Sequence, residues 1–393
     1  MNLKIGAARI IMLLFSCLPI KKNKLLLFSY YGSHYGDSPK YISEYILKHY
    51  PKQRFNIVWA FTDPDSKHHL KNVRKVKIMS LRYFYALCTS KVLITNYRMT
   101  GAFVKRKNQY YIQTWHSSLR LKQIERDAAQ ALPAHYVEMA KKDSAKCDLL
   151  LSGSKYSTEI FKRAFWYGGE IFEHGTPRND VLVENNANRR RAVLDKLNIK
   201  SEKKVLLYAP TFRKNSNLEI YHLDWQTITR QLQARFGGEW TVLVKLHPHL
   251  IAESDKLLYG DNVVDATSYD DIQELLLAAD VLISDYSSLI FDYAITMRPC
   301  FLYVPDIEEY TRQDRKLYFE INDLPFINAV SHNDLLVKMN NFDDAHYKQQ
   351  LGQFMARVGS FEKGNASEHA ARRIYEICYG KHAKRSDNLN EAV

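Results

Sequence analysis

Val281-Leu282-Ile283-Ser284-Asp285-Tyr286-Ser287-Ser288-Leu289-Ile290-Phe291-Asp292 passes from three adjacent aliphatic residues through a polar turn into a second apolar stretch. Its first part lacks polar alternation, as a strand covered on both faces requires. Ser287 and Ser288 stand where a helix is expected to begin, because serine and aspartate are favoured at helix starts. The stretch reads as one strand-to-helix step of a parallel sheet.

The same step recurs outward in both directions. Strands are expected at 24–30, 55–61, 91–95, 110–115 and 148–153, with helices at 40–49, 134–146 and 157–165 among them. After a polar, arginine-rich stretch the pattern restarts, with strands at 205–209, 241–246, 281–284 and 300–304 and helices at 225–236, 271–279 and 289–296. The expected fold class is therefore α/β, with two doubly wound, Rossmann-like domains facing a cleft at the carboxyl ends of their strands. The expected boundaries are an N-terminal segment 1–23, a first domain 24–185, a linker 186–204, a second domain 205–365, and a C-terminal helix and tail 366–393.

The chain has 393 residues, 46% hydrophobic and 25% charged, which excludes a small stapled module and a disordered chain. Its 56 Lys and Arg against 43 Asp and Glu leave a formal charge of +13, so phosphate-bearing partners are expected. The five cysteines are odd in number and scattered, without metal-ligand spacing, which fits free thiols in a reducing compartment.

Residues 10–20 are apolar and flanked by Lys4, Arg9, Lys21, Lys22 and Lys24. They fall short of the roughly 20 residues needed to span a bilayer. No small-residue cleavage site precedes the apolar run 25–28, so cleavage is not expected. Two readings stay open: an interfacial helix whose basic flanks meet an anionic inner-leaflet membrane, and a helix packed on the protein's own core.

Candidate site residues gather at expected strand ends. Ser287 and Ser288, with the free N–H groups of a helix start, make a phosphate site in physical terms; an ordinary helix cap is the alternative. Asp285 is equally a cap and a metal ligand. In Tyr208-Ala209-Pro210-Thr211-Phe212-Arg213, Thr211 and Arg213 follow a strand, and Arg213 suits either a bidentate phosphate contact or a surface ion pair. Lys245 and His247 of Lys245-Leu246-His247-Pro248 are two apart and would point the same way from an extended chain. In the first half, His116 of Gln113-Thr114-Trp115-His116 is a candidate general base, or a histidine packed beside Trp115. Arg178 and Asn179 lie in Gly175-Thr176-Pro177-Arg178-Asn179-Asp180, which reads as a phosphate-compatible loop or a plain turn. There is no GxGxxG after a strand, no GxxxxGK[ST], no HExxH and no paired CxxC, which disfavours nicotinamide, P-loop and zinc chemistry.

In chain order, from Gln113-Thr114-Trp115-His116 to Ser284-Asp285-Tyr286-Ser287-Ser288, the five motifs resemble those of the CDP-glycerol glycerophosphotransferase family, the teichoic acid primases and polymerases. Residues 306–310, Arg315, Tyr318 and Phe319 resemble the family's following segment. The resemblance, from about 24 to 380, implies a GT-B-like fold and transfer of glycerol phosphate from CDP-glycerol to a hydroxyl of a lipid-linked saccharide or polyol-phosphate acceptor, with CMP released. CDP-ribitol and a nucleotide-sugar glycosyltransferase are the alternatives.

It implies His116 as base, His247 on the donor diphosphate, and Ser287 and Ser288 on its phosphates. Arg213 is assigned to phosphate neutralisation on electrostatic grounds, with Thr211, Lys245, Asp285, Arg178 and Asn179 as further substrate-binding candidates. The nucleotide belongs to the second domain and the acceptor to the first. No cofactor, obligatory metal or nucleic acid is expected, and the protein is placed peripherally on the cytoplasmic face of a membrane. Ser117-Ser118-Leu119-Arg120 departs from the family's Gly-Thr-Pro after the tryptophan–histidine pair, and Pro325-Phe326 from its Pro-Gly, which leaves acceptor and subgroup open.

Overall fold

A computed structural model of the chain describes residues 3–213, 219–247, 250, 260, 262–313 and 316–380. Pro248, Arg315 and the tail 381–393 lie outside the described residues. The chain divides into two compact units: one of residues 1–116, 124–180 and 361–393, the other of 117–123 and 181–360.

The first unit holds seven strands: β1 (Lys21–Phe28), β2 (Asn56–Phe61), β3 (Arg74–Lys77), β4 (Ser90–Thr95), β5 (Tyr110–Gln113), β6 (Leu149–Leu151) and β7 (Glu170–Phe172). They form a wholly parallel sheet in the order β3-β2-β1-β4-β5-β6-β7. Leu25, Leu26, Leu27, Val92, Leu93 and Ile94 are all 0% exposed, which explains why these strands read as unbroken apolar runs. The order reverses between β1 and β4, and the loops leaving those strands open the crevice where such sheets bind ligands.

The second unit holds β8 (Lys204–Ala209), β9 (Trp240–Val244), β10 (Val263–Asp265), β11 (Val281–Ser284), β12 (Cys300–Tyr303) and β13 (Ile327–Ala329). Their order is β10-β9-β8-β11-β12-β13, again all parallel, with the reversal between β8 and β11. The stretch that opens on Val281 is therefore β11 with the loop and helix Leu289–Ala294 behind it, at the switch point of this sheet.

Two stretches add detail to the expected boundaries. The stretch 186–204, expected as a linker, carries helix Ala187–Lys196, whose start is capped by the Asn186 side chain accepting from the Arg189 N–H. Val193 and Leu194 give this charged helix a narrow buried stripe, and Arg190 pairs with Asp280 of the second unit at 2.7 Å. The C-terminal helix Ala366–Tyr379 belongs to the first unit, where Ile374, Tyr375 and Cys378 join the core around β1 and β4.

The N-terminal helix Leu3–Phe15 combines features of both readings left open for it. Ala8 and Met12 are buried, whereas Ile10, Leu13 and Leu14 are 61%, 68% and 69% exposed. Among the described residues no helix is long and apolar enough to cross a membrane.

Candidate functional site

In the first unit the residues leaving β1, β4 and β5 meet around Asn96. β5 ends at Gln113, and Trp115 takes a left-handed φ of 52°, a conformation that costs a bulky residue energy and persists only where its surroundings hold it. The Trp115 N–H donates to Gln113 Oε1 at 2.9 Å, and the guanidinium of buried Arg98 lies 5.6 Å from the indole. The turn delivers His116 to the surface, its ring stacked on Trp115 at 4.4 Å. His116 Nδ1 is 3.3 Å from the Asn96 carbonyl. A carbonyl accepts only, so Nδ1 is the donor in this contact, the tautomer that puts the lone pair of a neutral imidazole on Nε2, as a base requires.

Asn96 is itself held: its Nδ2 donates to Asp37 Oδ2 at 3.0 Å and its Oδ1 accepts from the Tyr30 N–H at 3.0 Å. Asp37, 1% exposed and with a φ of 60°, also accepts from Tyr30 Oη and from Arg178 Nη1 at 2.9 Å. Burial pushes its carboxyl up, but the Arg178 charge and these donors outweigh that and hold it below the usual aspartate value. Arg178 and Asn179, expected at a substrate, are 3% and 0% exposed. The loop they occupy is a knot within the first unit: Thr176 donates to Glu362, and Asp180 accepts from the N–H groups of Ala366 and Ser367. Arg178 acts on Asp37, through which it reaches Asn96.

In the second unit Thr211, Arg213 and Asp285 come together at the β8–β11 switch point, but not as expected. Asp285 neither caps the helix nor joins a metal cluster: it accepts from the Thr211 N–H and Oγ1 at 2.9 and 2.7 Å and from Arg213 Nη1 at 2.7 Å. The other edge of the guanidinium is bound by Asp306, with Nε and Nη2 at 2.7 and 3.2 Å from its carboxylate oxygens. Rings of Tyr286 and Tyr310 lie 4.8 and 4.9 Å away, and Tyr286 Oη donates to Asp306. Arg213 is 5% exposed and committed to two carboxylates, so it clamps the β8 loop to the loops after β11 and β12 instead of meeting a phosphate itself. Burial raises the Asp306 carboxyl, and the hydrogen bonds from Arg213 more than offset this, leaving it below the usual value.

Ser287 and Ser288 follow Asp285 directly. The Ser287 hydroxyl accepts from the Leu289 N–H at 3.4 Å and the Ser288 hydroxyl from the Leu121 N–H at 3.1 Å. Helix Leu289–Ala294 has six residues, so its dipole is small and the hydroxyls carry the polarity of this turn. The segment 117–123 joins this unit through Ser118, whose N–H and Oγ both donate to buried Asp292. Sequence reasoning missed that pairing, as it missed Asp37 and Asn96. The last two carried a signal, as polar residues following the expected strands 24–30 and 91–95.

Lys245 and His247 do not point together. β9 ends at Val244, so strand alternation does not extend to them. Lys245 Nζ donates to the carbonyls of Thr267 and Tyr269 at 2.6 and 2.7 Å, whereas His247 is exposed with its ring 5.6 Å from Phe212. Desolvation, only partly countered by Asp270, Asp265 and Asp271, lowers the Lys245 ammonium to about 8 from 10.5. Between these values the unfolded chain binds the proton that the folded chain has released, so the contribution of this group to stability should rise with pH across this window. Unfolding curves from pH 7 to 10.5 isolate this contribution as a difference, because buried cysteines and tyrosines with raised pKa values act in the opposite sense in both proteins: the wild type should gain stability relative to Lys245→Met as pH rises. An identical slope in both would remove the assignment. Among the described residues no group of three or more His, Cys, Asp or Glu is arranged to hold a metal ion.

The profile of the CDP-Glycerol:Poly(glycerophosphate) glycerophosphotransferase family matches residues 10–376. The chain is 34% identical over 371 residues to a teichoic acid poly(glycerol phosphate) polymerase of Staphylococcus epidermidis, with 91% of this chain and 51% of that protein covered. It is 33% identical over 368 residues to a protein of the same name from Bacillus spizizenii, with 90% and 92% covered. The chain thus spans about half the length of the first relative and nearly all of the second. The solved wall teichoic acid polymerase TagF is similar with a TM-score of 0.82 at 31% identity, covering 96% of this chain and 95% of that one. This likeness bears out the GT-B-like fold class expected from the sequence.

Proposed function

The chain belongs to the CDP-glycerol:poly(glycerophosphate) glycerophosphotransferase family, and from that premise we propose that it transfers glycerol phosphate from CDP-glycerol to a hydroxyl of a lipid-linked acceptor, releasing CMP, in the synthesis of teichoic acid or a related phosphopolymer. The observation that carries this reading is His116, an exposed imidazole at a switch-point crevice whose tautomer is set by the Asn96 carbonyl.

Nε2 of His116 takes the proton of the acceptor hydroxyl as its oxygen bonds to the phosphorus bearing glycerol. The bond from that phosphorus to the bridging oxygen breaks, and its electron pair leaves with CMP. Ser287, Ser288 and His247 are assigned to the donor phosphates, where fixed donors stabilise charge as it moves to the leaving oxygen. Arg213, Thr211 and Asp285 hold the loop that presents them, and Asp37, Asn96 and Arg178 hold the histidine. Lys245 supports the neighbouring turn through the carbonyls it binds. The test is product mass. Incubated with CDP-glycerol and a lipid-linked glycerol phosphate, the protein should add whole glycerol phosphate increments, and turnover without such an increment would overturn the reading.

The acceptor's lipid implies a membrane surface. We place the protein peripherally on the anionic cytoplasmic leaflet, supported by the exposed Ile10, Leu13 and Leu14 beside Arg9, Lys21 and Lys22. Leu13→Asp with Leu14→Asp should reduce co-sedimentation with phosphatidylglycerol vesicles by tenfold or more, since each exposed leucine contributes about 1.5–3 kcal/mol when buried. Unchanged co-sedimentation would remove this helix from the membrane contact.

A further inference from the structure

The first unit contains an apolar cavity of about 360 Å³ that none of the chemistry above uses. Ala8 and Met12 of helix Leu3–Phe15, Phe84 and Leu87 of helix Leu81–Thr89, and Ile78 and Met99 line it, and Tyr31 and Tyr97 close one wall. Its size falls at the lower end of small-molecule sites. A lining so poor in polar groups offers water too few partners to be a hydrated pocket. Arg9 Nη2 donates to the Gly101 carbonyl at 3.1 Å, fastening the N-terminal helix to the loop at the cavity's edge.

Three observations identify the occupant. First, the surroundings are made for insertion into lipid: Met79 in the lining and Leu81, two residues on, are 58% and 64% exposed, and Leu13 and Leu14 are exposed on the same helix that supplies Ala8 and Met12. Second, the charge suits an anionic head group. No Asp or Glu stands before Asp37 or between Asp65 and Glu125; Asp143, which accepts from the N–H of the lining Met99, and Glu125 are both paired with buried Arg98, and the surface near the cavity exposes Arg9, Arg82 and Lys107. Third, a residue of the cavity wall is continuous with the loop that orients His116. Tyr97, its ring tilted against that of Tyr31 at 4.0 Å, directly follows Asn96, whose carbonyl meets His116.

We propose that this cavity holds the apolar chain of the lipid that carries the acceptor hydroxyl, with the chain seated between the N-terminal helix and helix Leu81–Thr89. The proposal rests on the lipid-linked acceptor of the preceding section. Its volume admits a single chain, and the wall shared with the Asn96 loop directs the head group toward His116.

The experiment is photolabelling of the full chain on phosphatidylglycerol vesicles, with peptide mapping and no donor present. One probe carries a diazirine on a hexadecyl chain bearing a glycerol phosphate head group; the other carries the same diazirine on an acyl chain of phosphatidylcholine. The first should label Phe84, Leu87, Met99 and Phe103. The second should label only Ile10, Leu13 and Leu14. Ala102→Trp, and independently Ile78→Trp, should lower cavity labelling by the first probe about tenfold or more, the effect of excluding two methylenes. Equal cavity labelling by both probes, labelling confined to the outer face, or no loss in either folded variant would overturn the proposal. Labelling requires no turnover, so a failure of glycerol phosphate transfer is read separately, from product mass.

Discussion

Arg213→Met is expected to cost the second unit about 3–5 kcal/mol, because it leaves buried Asp285 and half-buried Asp306 without their common cation. Asp285 and Asp306 are bound to opposite edges of the guanidinium, and each is also tied to a neighbouring hydroxyl, Thr211 or Tyr286. Neither can turn to water without dismantling the loops after β8, β11 and β12. Denaturant unfolding of the variant measures the loss. Arg213→Met combined with Asp285→Asn and Asp306→Asn should recover a large part of it, since the remaining groups are neutral and of similar shape. A loss below about 1 kcal/mol would show that the clamp is not the determinant of this switch point.

His116→Ala is expected to lower turnover by about 10²–10⁴, the range for removing a positioned general base. The side chain is exposed, and the strained turn before it is held by Gln113 and Arg98, so the fold should be retained. Affinity for CDP-glycerol should stay near the wild-type value, because the donor is assigned to Ser287, Ser288 and His247. Equilibrium binding and single-turnover CMP release separate the two quantities. Added imidazole should restore part of the rate. A variant that keeps half its turnover would take His116 out of the reaction.

The alternation of unbroken apolar strands with helices was legible in the sequence because parallel strands covered on both faces leave no polar register to misread. The ends of those strands were legible too, and they located the loops that carry Thr211, His116 and Ser287. The partners of the polar residues were not. Arg213 finds its two carboxylates 72 and 93 positions away, and Arg178 meets Asp37 across 141. Nothing local in the sequence distinguishes an arginine aimed at a ligand from one neutralised inside the fold. The same limit explains 186–204, where a two-residue buried stripe was hidden among arginines, and the N-terminal helix, which divides its apolar residues between a core face and an exposed one.

The most direct measurement is a donor panel. CDP-glycerol, CDP-ribitol, a UDP-hexose and an ADP-hexose are each incubated with the wild-type protein and a lipid-linked glycerol phosphate acceptor, and the released nucleotide and product mass are read together. CMP released from CDP-glycerol, matched by one glycerol phosphate gained per turnover and abolished by His116→Ala, is the predicted result. Release of UDP or ADP with a sugar added to the acceptor would contradict it.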